Sequence, residues 1–277
     1  TNFALAESKG FLALVSHDGT ILHQWQDYPK QRPGVSYGLG TDGSTGYFAS
    51  ATPEAPNGSA LAEVVKDTKF SVDRGFYTEQ QALTISTATE AAAIYYTLDG
   101  SEPGPDHGSL YQEPIPIDKT TLVRAIAIKD GMISSNVDTH SYLFLASVLS
   151  QPAEPSGFPA RWGSVPADYA FDTSVGSSAD FEAALLGYPT ISLVMSIDSW
   201  FNASRIDGEG GIYANSLERG LDWEKAISAE FINFEGLKNT QVDCGIRIYG
   251  NASRQTSRPK HNMRLAFRAR YGAAKLD

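Results

Sequence analysis

Phosphoryl transfer needs a cation on the nucleotide phosphates, a divalent metal held by carboxylates, and a positioned acidic base. The carboxyl-terminal part of this 277-residue chain offers the first of these. From Arg247 to Lys275 it is strongly basic, with Arg247, Arg254, Arg258, Lys260, Arg264, Arg268, Arg270 and Lys275. Lys260 is the best-placed cation. It stands at the expected start of a strand, from which a lysine reaches across a sheet as a point charge. An exposed loop lysine is the alternative, and the residues alone leave both readings open. Gly250, Asn251, Ala252 and Ser253 suit a turn whose backbone N–H groups cradle an anion; a plain hairpin turn is the simpler reading. The forks of Arg254, Arg258 and Arg264 match phosphate oxygens. Arg268 and Arg270 read as solvent-exposed arginines of an alternating strand.

Other chemistry-bearing residues point to structure. Trp223, between Asp222 and Glu224, is expected to fix its loop by packing. Asp207, Glu209 and Gly210 lack the full spacing of a calcium loop. Asp99 and Glu102 flank Gly100, where carboxylates serve a turn. Tyr95, Tyr96 and Tyr111 suit core or hairpin packing better than a sugar platform. There is no GxxxxGK[ST], GxSxG or HExxH string, and His17, His23, His107, His140 and His261 are scattered.

Composition sets the bounds. A 42% hydrophobic and 19% charged chain is that of a folded soluble protein. The net charge of -10 argues against nucleic-acid binding, which needs a lysine and arginine surplus. Cys244 is the only cysteine, so neither an intrachain disulfide nor a cysteine metal site forms. No apolar run reaches transmembrane length. Asn57, Asn202 and Asn251 open Asn-x-Ser triplets.

The elements that would position these residues fall into segments. In 1–58, strands at 11–15 and 21–25 flank Asp18-Gly19, and short strands at 35–38 and 46–48 flank Asp42-Gly43. A linker, Thr52-Pro53-Glu54-Ala55-Pro56-Asn57-Gly58, closes the segment. In 59–145, period-2 alternation at 83–86, 94–98, 121–128 and 141–144, with an edge strand at the prolines beside Ile115, predicts an antiparallel sandwich of about seven strands. Residues 146–185 form a connector expected to pack on the next domain. Phe181 to Leu186 suits a short helix capped by Ser178 or Asp180. In 186–277, Thr190 to Met195 is an apolar run, as in a strand covered on both faces. Strands follow at 226–232, 242–249 and 261–268. On the second of these, Cys244, Ile246 and Ile248 share one face. The fold class is therefore mainly β with α+β: two immunoglobulin-like β-sandwich modules, the first incomplete, then an incomplete α+β domain.

Three stretches resemble known families. GFLALVSHDGTILHQW with DGSTGYFASATPEAPN resembles the closing half of a lamin-tail domain, a sandwich of secreted bacterial proteins. IYYTLDGSEP, LYQEPIPI and TLVRAIAIKDG resemble the chitobiase/β-hexosaminidase C-terminal domain, a noncatalytic sandwich. YPTISLVMSIDSWF, GGIYANSLERGLDWEKAISAEFIN, DCGIRIYGNASR and RPKHNMRLAFRARYG resemble the front half of the CotH-like kinase family. That last resemblance implies an exported protein, extracellular or at the cell surface, that uses ATP and magnesium to phosphorylate a protein hydroxyl. It implies Lys260 as a nucleotide contact, at the first position of the family's Lys-Lys or Lys-His pair with His261 at the second; with the chemistry above, the expected contacts are Lys260, Arg254, Arg264 and Asn251. The family's catalytic and metal-holding aspartates belong to its later portion, so the chain is expected to be a truncated fragment without catalytic or metal residues of its own. The alternative expectation is a noncatalytic cell-surface protein, structural or bound to surface polysaccharide, with a degenerate CotH-like domain.

Overall fold

Two Asp-Gly turns organise the first elements of the computed structural model, which describes residues 10–32, 34–206 and 208–272. β1 (Leu12–Val15) pairs antiparallel with β2 (Ile21–Trp25), and β3 (Ser36–Leu39) with β4 (Thr45–Phe48). Asp18 and Asp42 each accept the N–H two residues on, from Thr20 at 3.1 Å and Ser44 at 2.9 Å. Gly19 and Gly43 then adopt φ of 89° and 80°, which an L side chain resists. The protein divides into two compact units: Thr1–Val65 with Lys129–Ser134, and Lys66–Ile128 with Ser135–Asp277. Within the first, Tyr47 bridges Leu61, Val64 bridges Ile133, and Tyr28, Phe48 and Val65 are buried.

The second unit begins with a β-sandwich. Its strands are β5 (Thr68–Phe70), β6 (Gly75–Phe76), β7 (Gln81–Leu83), β8 (Ile85–Thr87), β9 (Ala93–Thr97), β10 (Ser109–Leu110), β11 (Ile115–Ile117), β12 (Thr121–Ile128) and β13 (Asp138–Leu143). One sheet runs β10-β9-β12-β13-β6; β5-β8 and β11-β7 are two-stranded. The alternation read in Thr121 to Ile128 holds in β12 from Leu122 onward: Val123, Ala125 and Ala127 are buried with Leu83, Ile117 and Tyr142. Each large apolar side chain buried this way contributes about 1.5–3 kcal/mol. The run 83–86 is interrupted, because Thr84 sits between β7 and β8 and each strand pairs elsewhere. Ile115 and Ile117 face inward on the edge strand β11, while Pro116 points out.

The connector carries α1 (Leu145–Leu149), the small hairpin β14 (Arg161–Trp162) with β15 (Val165–Pro166), and α2 (Ser178–Gly187). Ser177, not Ser178, caps α2. Its hydroxyl accepts from the Asp180 N–H while the Asp180 carboxylate accepts from the Ser177 N–H.

A four-stranded antiparallel meander follows: β16 (Thr190–Val194), β17 (Lys225–Ile232), β18 (Thr240–Ile248) and β19 (Met263–Ala266), with α3 (Ile197–Phe201) between the first two. Cys244, Ile246 and Ile248 are buried on one face with Ile227, Ala229, Phe231 and Ile212, and Leu265 and Phe267 pack against them. Two strand expectations are corrected. β16 is an edge strand and is covered on both faces only near its end: Leu193 packs on the core and Val194 is buried, but Ile191 is 45% exposed. The last strand starts at Met263, so Lys260 lies three residues before it in a bend.

Candidate functional site

The basic residues surround the loop that joins β18 to β19. Its ends are tied by the Tyr249 N–H, which donates to Asn262 O at 2.7 Å. Inside it Gly250 takes φ of 98° and Ala252–Arg254 make a single 3-10 turn. The arrangement is therefore neither the two-residue hairpin turn nor a continuation of the ladder. Between Arg247 and Arg270 there are seven arginines and lysines and no acidic residue. A stretch so composed concentrates positive potential unless its charges are engaged elsewhere.

Some are engaged. Arg254 is only 6% exposed. Its Nε donates to Gly250 O at 2.9 Å, and its Nη1 to Ser216 O at 3.1 Å and Glu218 O at 2.6 Å. Its Nη2 donates to Ile248 O. Four of the five guanidinium donors are thus spent on backbone carbonyls. Burial, with Arg219 and Arg247 nearby, pushes its pKa below the ordinary value. Its role here is to bind the turn to the loop at 216–218. Arg268, expected as a plain exposed arginine, grips Glu224 with both edges of its fork: Nε to Oε1 at 2.8 Å and Nη2 to Oε2 at 3.3 Å. Arg247 Nε stands 3.6 Å from Glu224 Oε2. The Glu224 side chain is wholly buried, and Gly245 leaves the room it needs: a Cβ there would meet Glu224 Cγ at 2.8 Å and the Tyr271 ring at 2.5 Å.

The remaining cations reach solvent. Lys260 and Arg258 are exposed. Lys260 lies between two anchored neighbours: Pro259 O accepts from the Tyr213 hydroxyl at 3.0 Å, and His261 donates from Nδ1 to Ser253 O while its ring meets Tyr213 at 4.7 Å. Arg264 is also exposed. Its guanidinium lies over the Tyr249 ring at 5.1 Å, and it faces Arg247 across the β18–β19 ladder. Asn251 is exposed, its Oδ1 accepting from Arg219 Nη2 at 3.4 Å. The structure thus brings Arg254, Asn251 and Lys260 to one loop and Arg264 to the strand that follows it, and divides them into one buried tie and three accessible groups. Arg219 and the Glu224 pair were missed by sequence reasoning. The only available signal was an acidic residue next to a tryptophan.

Trp223 is buried, as expected, with Gly210 packed on its ring. Of the suggested metal loop, Asp207 lies outside the described residues. Among the described residues there is no cluster of three metal-ligating side chains, and no helix is long and apolar enough to cross a membrane. Lys275 also lies outside the described residues.

A second set of polar groups sits at one end of the sandwich. Tyr96, Leu98, Asp99, His107 and Ser109 line a cavity of about 380 Å³. Ser101 Oγ is 2.6 Å from His107 Nε2 and also bonds Asp99. The order is not that of a nucleophilic triad, because the carboxylate holds the serine and not the far nitrogen of the imidazole. Burial opposes ionisation of Asp99, but the Ser101 hydroxyl and N–H outweigh it and hold the carboxyl below its usual range. Tyr96 meets Tyr111 edge-on at 6.4 Å, the hairpin packing expected.

Residues 72–139 match the family model of the chitobiase/beta-hexosaminidase C-terminal domain. The match covers β6 to β12, leaving out β5 and the end of β13. No curated protein matches the chain. No solved structure matches it.

Proposed function

We propose that the meander sheet is the front half of a CotH-like phosphotransferase domain, carried by an exported multidomain protein behind a lamin-tail-type segment and a hexosaminidase-type sandwich. The observation that carries the reading is the stretch around the β18–β19 loop: seven cations from Arg247 to Arg270 without an acid among them, with Arg254 spent on holding the loop's shape. Lys260 and Arg264 would meet the anionic oxygens of a nucleotide and Asn251 would add a neutral donor. These residues fit a triphosphate. ATP with magnesium would supply the transferable phosphoryl group, and a protein hydroxyl would accept it. The chain's own part is to bind the phosphates and fix their position. Lys260→Ala is expected to weaken ATP binding about tenfold, the loss of one charge-assisted contact, with the melting temperature unchanged. Titration calorimetry reads this directly; equal affinity for both proteins would remove Lys260 from the site, and no binding by either would remove the reading.

A second reading has its own observation. The cavity beside Tyr96 combines an aromatic edge, an exposed Leu98 and hydrogen-bonding groups on Asp99 and His107, the mixture a sugar ring requires. On that reading the protein is a noncatalytic attachment to surface polysaccharide. His107→Ala should abolish retention on whichever glycan holds the intact chain in an array screen. An array with no retention on any glycan eliminates it.

A further inference from the structure

The sandwich sheet has an open edge at β13. This strand pairs with β12 along most of its length, but on its other side it meets β6 only at Tyr142 and Leu143. The backbone groups of residues 137–141 that face away from β12 need partners, because unpaired buried peptide groups are costly and unpaired edges invite foreign strands.

Side chains of the meander supply those partners. Gln241, on β18, accepts the Thr139 N–H through Oε1 at 2.6 Å and donates from Nε2 to Val137 O at 3.1 Å. One carboxamide thus offers the acceptor and donor that a peptide group of a sixth strand would offer. Glu230, on β17, accepts the Ser141 N–H at 3.0 Å and also the Ser141 hydroxyl. Ser192, on β16, meets that same hydroxyl at 2.7 Å. Arg74 Nε stands 3.4 Å from the Glu230 carboxylate, which is wholly buried and would be unaffordable there without such company. Thr139 and Ser141 are fully buried as well. A second contact lies alongside. Gly100 presses on the end of β16, where a Cβ would stand 2.8 Å from Met195 O, and its own carbonyl accepts from Arg124 Nη1 at 3.0 Å.

We infer that Gln241 and Glu230 act as a surrogate strand, closing the sandwich edge and locking the sandwich and the meander into one cooperative folding unit. The sandwich is then no loose spacer. β17 and β18, which lead into Glu224, Arg247 and the basic loop, take part of their support from it. The stretch matched by the family model stops at Thr139, before Ser141, and so omits half of the lock.

Native-state hydrogen exchange on the whole chain tests this. The Thr139 and Ser141 amides should be as protected as those of β12. Gln241→Ala should speed exchange at Thr139 about tenfold and carry β17 amides with it, and unfolding should stay a single transition. If Gln241→Ala does not fold, Gln241→Glu keeps the acceptor while losing the donor and should show a smaller change of the same pattern. Exchange of Thr139 and Ser141 in the parent chain at the rate of a free edge overturns the inference. So does a change confined to Thr139, with sandwich and meander melting separately.

Discussion

Replacing Arg254 by alanine is expected to destabilise the second unit by roughly 3–5 kcal/mol, because two buried and two partly buried carbonyls lose a charged donor at once. Four oxygens are affected, those of Gly250, Ser216, Glu218 and Ile248, and the loss falls on two separate stretches of backbone. Water cannot readily replace the guanidinium at a residue so little exposed. Arg254→Lys keeps the charge but not the fork, so it should recover only a small part. Urea unfolding followed by tryptophan fluorescence, to which the buried Trp223 contributes, measures the effect. A loss below about 1 kcal/mol would show that the Arg254 bonds are not a tie but a surface decoration. The variant also separates the phosphate role that sequence reasoning gave to Arg254 from the structural one its hydrogen bonds support. If Arg254 shapes the loop and Lys260 contacts phosphate, Arg254→Ala lowers stability first and affinity as a consequence, whereas Lys260→Ala lowers affinity alone.

That separation explains how far the sequence was legible. The β12 string alternates because one face of a half-buried strand must be apolar, and that rule needs no knowledge of partners. The same holds for Cys244, Ile246 and Ile248 on β18, and for the two Asp-Gly turns. Arg254 and Arg264 are the same residue type ten positions apart, and composition cannot tell which is buried. The answer depends on a turn that folds back onto residues 216–218. The Arg268–Glu224 fork depends likewise on the register that sets Lys225 opposite Ile246 and Gly245 opposite Ala266. Lys260 missed its strand because the chain around it is held by tertiary contacts instead. Pro259 offers no ladder donor, and His261 is turned to Ser253 and Tyr213. The lock at Gln241 and Glu230 is the extreme case. Polar residues on alternating strand positions read as a solvated face, and here that face is covered by the sandwich.

Acid should unfold the second unit largely through His140. Its ring stacks on Phe70 at 4.2 Å with an interplanar angle of 10°, and its Nδ1 is buried without a hydrogen-bond partner. Burial first, and the Arg74 charge second, push its pKa down from 6.5 to about 3. The folded state therefore resists a proton that the unfolded chain takes readily. Stability is fully present above pH 6.5 and is lost as pH falls toward the folded value. Between pH 7.5 and 4.5 the loss should be roughly 2.7 kcal/mol, from about 1.36 kcal/mol per unit over the two units below 6.5. The seam carboxylates act in the opposite sense. Burial raises the pKa of Glu230, Asp138 and Asp243, so each folded carboxyl holds its proton to higher pH than the unfolded one, and acidification relieves a strain these groups carry near neutrality. His140→Phe removes the titration while keeping a flat ring against Phe70, and it leaves the carboxylates in place. In that variant the acid limb should flatten or reverse. Denaturant unfolding of both proteins at the two pH values decides it: parallel pH profiles for the parent chain and the variant would mean that His140 is protonated in the folded protein and that its burial carries no penalty.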